Sequence, residues 1–423
     1  MSLASAAMAP PPMRLRSAVA MFAAFAFAYF FSALVRAVTA TLAPVFSAEL
    51  ALTAGDLGLL AGAYFLGFAL AQLPLGRALD RHGPRRVLLI MLSLAVLACG
   101  AFALASNFAG LLAARALIGV GVSACLMAPL TAYRLRFSAA VQLRANSWML
   151  MTGSLGMLAS TLPVQWLLPA LGWRGLFWLV AVLLALAMVA IAAVVPRDAP
   201  NRSLVNASAS IGYREIFRHP YFVRLAPLGF FVYGGLLAVQ SLWAGPWLTQ
   251  VAGYTPADAA RGLFAINLSM WVAFLSWGVV MPRLTRRGWN SDRLMTLGVP
   301  LSVVLLVLAV ALGERATAGW WAAWCVSCTF VALSQPAVAQ VFAADAAGRA
   351  LSAFNLVVFV GVFCVQWGIG LAIDALRTLG WSTPSAYRAA FAIFALCSAL
   401  SYAWFLGWRG EQSPSADNQA PNV

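Results

Sequence analysis

The sequence predicts an all-α membrane protein, twelve transmembrane helices in two pseudo-symmetric six-helix bundles, and three observations predict it. Hydrophobic residues make up 63% of the 423 and charged residues only 9%, with a mean hydropathy of +0.88, more apolar surface than a soluble fold can bury. Apolar runs long enough to cross about 30 Å of hydrocarbon as helices recur along the whole chain. Short motifs of the first half return in the second at a nearly constant offset. Spanning strands would show alternation of apolar and polar residues over about ten positions; it is absent, and helices satisfy their own backbone in lipid.

The elements follow in order. Residues 1–16, opening MSLASAAMAPPP, are small, polar and Pro-rich, a composition that predicts a disordered tail. Arg14 and Arg16 precede an apolar run far longer than the core of a signal peptide, so the first span is expected to stay as a helix. Spans are predicted at 17–46, 57–75, 87–106, 109–133, 146–168 and 175–195, forming a bundle over 17–195. The polar stretch 196–220 reads as a linker, with Tyr213 to Phe217 as a short amphipathic helix at the membrane surface. Six further spans fill a second bundle over 221–408, and 409–423 reads as a second disordered tail.

All 27 basic residues are Arg, and the net charge is +15. They sit in short loops between apolar spans and not along one polar face, which argues for membrane topology over nucleic-acid binding. Arg14 and Arg16, Arg77 to Arg86, Arg134 to Arg144, Arg197 to Arg218 and Arg283 to Arg293 fall in alternate loops. By the positive-inside rule those loops and both termini are cytoplasmic, in a multi-pass protein of a bacterial-type inner membrane. The six Cys lie in apolar spans; Cys325 and Cys328 read as a small-residue helix face before a metal or redox pair.

Three local matches relate the halves. Gly76 to Arg81 corresponds to Gly278 to Arg283, an offset of 202; Arg144-Ala-Asn-Ser147 to Arg349-Ala-Leu-Ser352, at 205; and Leu171-Gly172-Trp173 to Leu379-Gly380-Trp381, at 208. An internal repeat in a membrane chain points to a transport site at its interface.

The loop Gly76-Arg-Ala-Leu-Asp80-Arg81-His82-Gly83-Pro84-Arg85-Arg86 resembles the G-x-x-x-D-R-x-G-x-R-R signature of the major facilitator superfamily. In physical terms Gly76 permits close helix approach, Asp80 can accept charge-assisted hydrogen bonds and Gly83 allows the reversal. The resemblance implies a conformational gate, a charge cluster of Gly76, Asp80, Arg81, Gly83, Arg85 and Arg86 that latches the cytoplasmic side when the carrier faces outward. It also implies that Asp80→Asn slows the transport cycle.

Ionisable groups at membrane depth are costly and normally serve a function. Arg36 stands out, eight residues before Pro44 with long apolar flanks; this stretch resembles helix 1 of the anion:cation symporter and organophosphate antiporter branches, where the matching Arg contacts an anionic substrate. A guanidinium is always charged and its planar fork fits carboxylate or phosphate oxygens. A longer helix that puts Arg36 near the outer headgroups is the alternative reading. Helix 7 lacks the second Arg of the phosphate-ester carriers and offers Tyr233, Gln240 and Trp243, so one fixed charge suits a monovalent anion. Tyr64, Asn267, Gln335 and Asn355 complete the expected substrate-binding set, with Gln72, Ser123, Trp148, Trp271 and Ser334 as further polar or aromatic positions on cavity-lining helices. Each also reads as ordinary packing or interhelical hydrogen bonding. Arg115, in Arg115-Ala-Leu-Ile-Gly119-Val-Gly121, is similar to the family's R-x-x-x-G-x-G element associated with proton coupling, and reads alternatively as an interface anchor.

The expected function is a secondary active transporter moving a small, carboxylate-like organic anion by alternating access, with a co-transported proton or sodium ion open. It would act as a monomer among membrane lipids, without nucleic acid, metal or cofactor. A proton-coupled drug or metabolite efflux antiporter is the first alternative, disfavoured because helix 5 lacks that group's Gly-Pro pair; a transporter-like ligand sensor is the second. No Ser/His/Asp or metal-ligand grouping recurs at useful spacing, which argues against an enzyme, and a chain without Lys has no Gly-Lys-Ser/Thr nucleotide loop.

Overall fold

The computed structural model describes residues 15–197 and 212–408, apart from the side chains of Asp80, Ala139, Ala140, Leu143, Ala344 and Asp345. The expected tails beyond these limits and most of the linker lie outside the described residues. The first half contains α1 (Leu15–Glu49), α2 (Ala54–His82), α3 (Pro84–Leu104) and α4 (Phe108–Arg136), then a bent α5 (139–171) and α6 (173–194). The second contains α7 (Pro220–Gln250), α8 (Pro256–Arg286), α9 (Ser291–Leu312), α10 (Ala318–Val341), α11 (Ala344–Thr378) and α12 (Thr383–Gly407). The only described part of the linker with regular structure is the short helix Tyr213–Arg218, whose Ile216 is buried.

The fifth crossing differs from its expected bounds of 146–168. It begins at Ala139, because Gln142 and Arg144 in its first turns hide it from a hydropathy reading, and it runs through a bend at Ser160 and Thr161 as far as Gly172. Its direction follows from its neighbours. Gly153 abuts Tyr29, Gly156 abuts Phe30, and the Thr41 hydroxyl donates to the Ser160 carbonyl at 2.8 Å, so α5 rises alongside α1. At Gly172 the backbone enters the left-handed region (φ 62°) and the chain reverses. Trp173 then packs edge-on to Phe46, Trp178 meets Gly100 and Arg85 donates to the Ala192 carbonyl at 2.6 Å. α6 is therefore antiparallel to α3, and the described residues make twelve crossings. The start of α1 at Leu15, the end of α12 at Gly407 and the described residues that border the linker fall on one face, here the linker side; the opposite face is the far side.

The repeat visible in the sequence is also written in the backbone. Left-handed residues close equivalent turns at Ala51 and Gly253, at Gly83 and Gly288, and at Gly172 and Gly380, pairs separated by 202, 205 and 208 positions. Ala51 is the one non-Gly residue among them (φ 51°), a conformation that costs a Cβ-bearing residue about 1 kcal/mol or more.

Packing between helices relies on small residues, as expected where lipid removes the hydrophobic drive to associate. An added Cβ on Gly119 of α4 would sit 2.0 Å from the Tyr64 carbonyl of α2, so these two backbones touch. The second half adds an aromatic cluster in which Trp247, Trp321 and Phe391 meet edge to face, with ring centroids 4.9 to 5.4 Å apart. The halves meet chiefly through α2 and α11 toward the far side. There a Cβ on Gly58 would lie 2.4 Å from the Gln366 carbonyl, and one on Gly370 2.3 Å from that of Ala54.

Candidate functional site

α1 is about 52 Å long, and Arg36 lies roughly 6 Å past its midpoint toward the far side at 1.5 Å per residue. This overturns the headgroup reading of Arg36: the side chain is interior and lines a cavity of about 560 Å³ between the halves. The cavity runs from Arg36 toward the linker side, past Ser147 on α5 and Gly278 on α8. Tyr29, two helical turns before Arg36 and so on the same face, lines it as well, and the Tyr29 and Tyr64 hydroxyls are the polar neighbours of the guanidinium. Phe68 lies 5.7 Å from the guanidinium carbon. Arg36 Nε is buried without a hydrogen-bond partner. No carboxylate lines the cavity among the described residues.

Behind Arg36 stands a second guanidinium. Arg115, 1% exposed, lies 5.1 Å from the centre of the Tyr64 ring and donates from Nη2 to the Val35 carbonyl at 3.0 Å and the Thr39 hydroxyl at 2.6 Å. Its Nε and Nη1 have no partner. The interface-anchor reading of Arg115 is therefore corrected: close α2–α4 packing draws it into the first bundle. The first half thus presents a column Arg36–Tyr64–Arg115, two positive charges around one phenol.

The second half supplies the facing wall from α7, α8 and α10. α7 is wound as π-helix over Gly229–Tyr233 and Val239–Trp243, local rearrangements that recur at functional sites. α10 tightens to 3₁₀ over Cys328–Leu333, where Thr329, Ala332 and Leu333 reach the cavity. Tyr233, Gln240, Asn267 and Gln335 all line it. Their polar atoms largely serve one another: Gln240 Nε2 donates to Asn267 Oδ1 at 3.0 Å, Asn267 Nδ2 to the Leu263 carbonyl at 2.9 Å, and Gln335 Nε2 to Asn355 Oδ1 at 2.5 Å.

Three expected contacts are not in the wall. Trp243 is fully buried elsewhere, its indole donating to the Gln366 carbonyl at 3.1 Å and its ring set edge-on to Tyr387. The π-turn at Val239–Trp243 carries it round from the face of Gln240. Tyr64 stands one layer back, between the two arginines, and Asn355 stands behind Gln335. Trp148 packs edge-on to Phe22. Sequence reasoning missed Tyr29, Met151, Met157, Met270 and Phe274 as wall residues; apolar side chains in an apolar span carry no local mark of facing water.

Around the signature loop, Gly83 makes the reversal with φ 79° and Pro84 starts α3. Arg85 ties α3 to α6 through Ala192. The Asp80 side chain lies outside what is described. Gly76 has open space where a Cβ would be, which corrects its expected close helix approach in this conformation. On the far side a contact between the halves appears that was not foreseen. The Asp374 carboxylate, at the end of α11, accepts from the Ala54 amide at 3.0 Å and the Gly55 amide at 2.7 Å, two donors in the first turn of α2. On the linker side Arg224 Nη1 meets Asp292 Oδ2 at 2.7 Å, and the Tyr221 hydroxyl donates to Asp292 Oδ1 at 2.6 Å, joining α7 to α9 inside the second half.

Comparison with known proteins agrees with this architecture. The family model of the Major Facilitator Superfamily matches residues 25–365. A bacterial homologue of the human lysosomal transporter Spinster, in an inward-facing and unoccupied conformation, is similar in structure at 17% identity, over 94% of this chain and 98% of that one, with a TM-score of 0.72. A D-xylose–proton symporter (15% identity, 94% and 98% covered, TM-score 0.74) and the POT family transporter PepTSo (15%, 93% and 98%, 0.71) share the fold as well. No curated protein matches the sequence significantly.

Proposed function

The chain belongs to the Major Facilitator Superfamily, and from that premise we propose that it moves a small, carboxylate-like organic anion across the membrane by alternating access. It is a transporter and not an enzyme. The observation that carries the substrate class is the unbalanced charge of the cavity: among the described residues Arg36 is the one charged side chain of its lining, and no acid there answers it. An unpaired charge away from bulk water is expensive, so the counter-charge is supplied by what binds. Arg115 adds to the positive potential of the same wall. In this reading the linker side is cytoplasmic, the membrane is a bacterial-type inner membrane, and the halves rock about a site that includes Arg36.

The test is binding to the purified protein. Thermal stabilisation of the wild type and Arg36→Gln is measured against carboxylates, phosphates, inorganic anions and lipophilic cations. A charge-assisted hydrogen bond contributes about 1.5–3 kcal/mol, so an organic carboxylate binds the variant roughly 10- to 150-fold more weakly. Equal stabilisation of both proteins by cations overturns the proposal and favours efflux of cationic compounds.

A further inference from the structure

Among the cavity's lining residues two buried polar atoms have no hydrogen-bond partner: Arg36 Nε on α1 and Trp271 Nε1 on α8. The other polar groups of the second-half wall have partners. Gln240 donates to Asn267 and Asn267 to the Leu263 carbonyl, Trp277 donates to the Thr329 hydroxyl at 2.8 Å, and Gln335 donates to Asn355. A buried Trp normally finds an acceptor; the indoles of Trp247, Trp321 and Trp324 also lack one, but they lie in the packed interior of the second half, whereas Trp271 lines the cavity. Trp271 is therefore the one uncharged donor of this wall that is held out of water with nothing to receive it.

The remaining lining explains what joins the two donors. Met151 and Met157 of α5 face Met270 and Phe274 of α8 and Leu333 of α10. Such a surface takes up apolar bodies, and methionine adapts its shape to them. At about 560 Å³ the cavity is of small-molecule size, larger than a bare inorganic anion or acetate would fill.

We infer that the substrate is an amphipathic monoanion: a carboxylate for Arg36 on the first half, an apolar body against the methionine and phenylalanine wall, and an uncharged hydrogen-bond acceptor for the indole N–H of Trp271 on the second half. The inference rests on the anion reading of Arg36 and extends it, making Trp271 the residue that selects among acids. Because Arg36 and Trp271 belong to different halves, a ligand that engages both links the two bodies that must move.

Two probe acids of nearly equal shape test it. 4-Acetylbenzoate ends in a carbonyl acceptor and 4-isopropylbenzoate in a methyl-bearing carbon without one. Affinities are measured by titration calorimetry on the full-length protein as wild type, Arg36→Gln and Trp271→Phe; the last keeps an aromatic ring and removes the donor. The wild type binds the acetyl acid more tightly. Trp271→Phe weakens it about three- to tenfold, the range of one neutral hydrogen bond, and leaves the isopropyl acid unchanged, while Arg36→Gln weakens both acids alike. If Arg36→Gln weakens both but Trp271→Phe changes the two equally or not at all, the Trp271 inference is overturned and the anion reading stands. If Arg36→Gln leaves both unaffected, the anion reading itself fails. Binding of acetate or phosphate with neither arylate overturns the amphipathic class.

Discussion

Removing the Asp374 carboxylate should open the far side of the molecule. Asp374 reaches across from one half to the other and accepts two amide hydrogens in the first turn of α2, at 3.0 and 2.7 Å. Hydrogen bonds to a charged group contribute about 1.5–3 kcal/mol each when protected. The carboxylate here is half-buried, so each is discounted to about 1 kcal/mol. The positive end of the α2 dipole adds roughly 0.3–1 kcal/mol. The total, about 2–3 kcal/mol, corresponds to a 30- to 150-fold change in the ratio of far-side-closed to far-side-open molecules. Asp374→Ala loses all of it; Asp374→Asn keeps one acceptor oxygen without charge and loses roughly half. Spin labels at Leu171 and Leu312, exposed far-side positions in different halves, report the separation in a cysteine-free background. Growth of a longer-distance population in the order wild type, Asn, Ala is expected. A distance distribution in Asp374→Ala identical to that of the wild type would refute the argument.

Further outcomes follow from other contacts. Gly58→Leu should empty the closed population in the same assay, because a Cβ there would lie 2.4 Å from the Gln366 backbone carbonyl, which cannot move aside as a side-chain tip does. Asp292→Ala leaves the buried Arg224 guanidinium without its carboxylate, with only the Phe405 carbonyl to receive it, and should lower stability by about 3 kcal/mol, read as a fall in Tm; pairing it with Arg224→Met should restore part of the loss. Arg115→Gln should weaken anion binding by less than about tenfold, since its charge acts from behind the Tyr64 ring, and calorimetry should rank it below Arg36→Gln. Ala51→Gly relieves a left-handed alanine and should raise stability by up to about 1 kcal/mol, seen as a small upward shift in Tm.

The helical membrane fold, the two-fold repeat and the interior placement of Arg36 were legible in the sequence because each rests on a quantity read from the residues themselves. Apolar length, loop charge and the cost of an ion in lipid need no knowledge of neighbours. The offsets of 202, 205 and 208 in the motifs even match the spacing of the left-handed turns. What failed to read was anything set by contact between distant segments. Asp374 and Ala54 are 320 positions apart, and nothing near either announces the other. Trp243 and Trp271 look alike in sequence, both aromatic residues of cavity helices, yet the π-turn in α7 sends one into the packing and α8 leaves the other on the wall. The start of α5 was hidden because Gln142 and Arg144 depress its hydropathy.

The cavity wall is not shared evenly. Among the described residues the first half contributes α1 and α5 with the one fixed charge of the lining, whereas the second contributes α7, α8 and α10 with the indole, the amides and much of the aromatic surface. On the proposed reading the two related halves have different tasks, the first to attract the anion and the second to discriminate among acids. A change of preferred acid needs substitutions only on the second half, leaving the attraction intact, and a change of charge preference needs one residue on the first. Such a division lets a lineage of carriers explore new cargoes one wall at a time without passing through an intermediate that binds nothing.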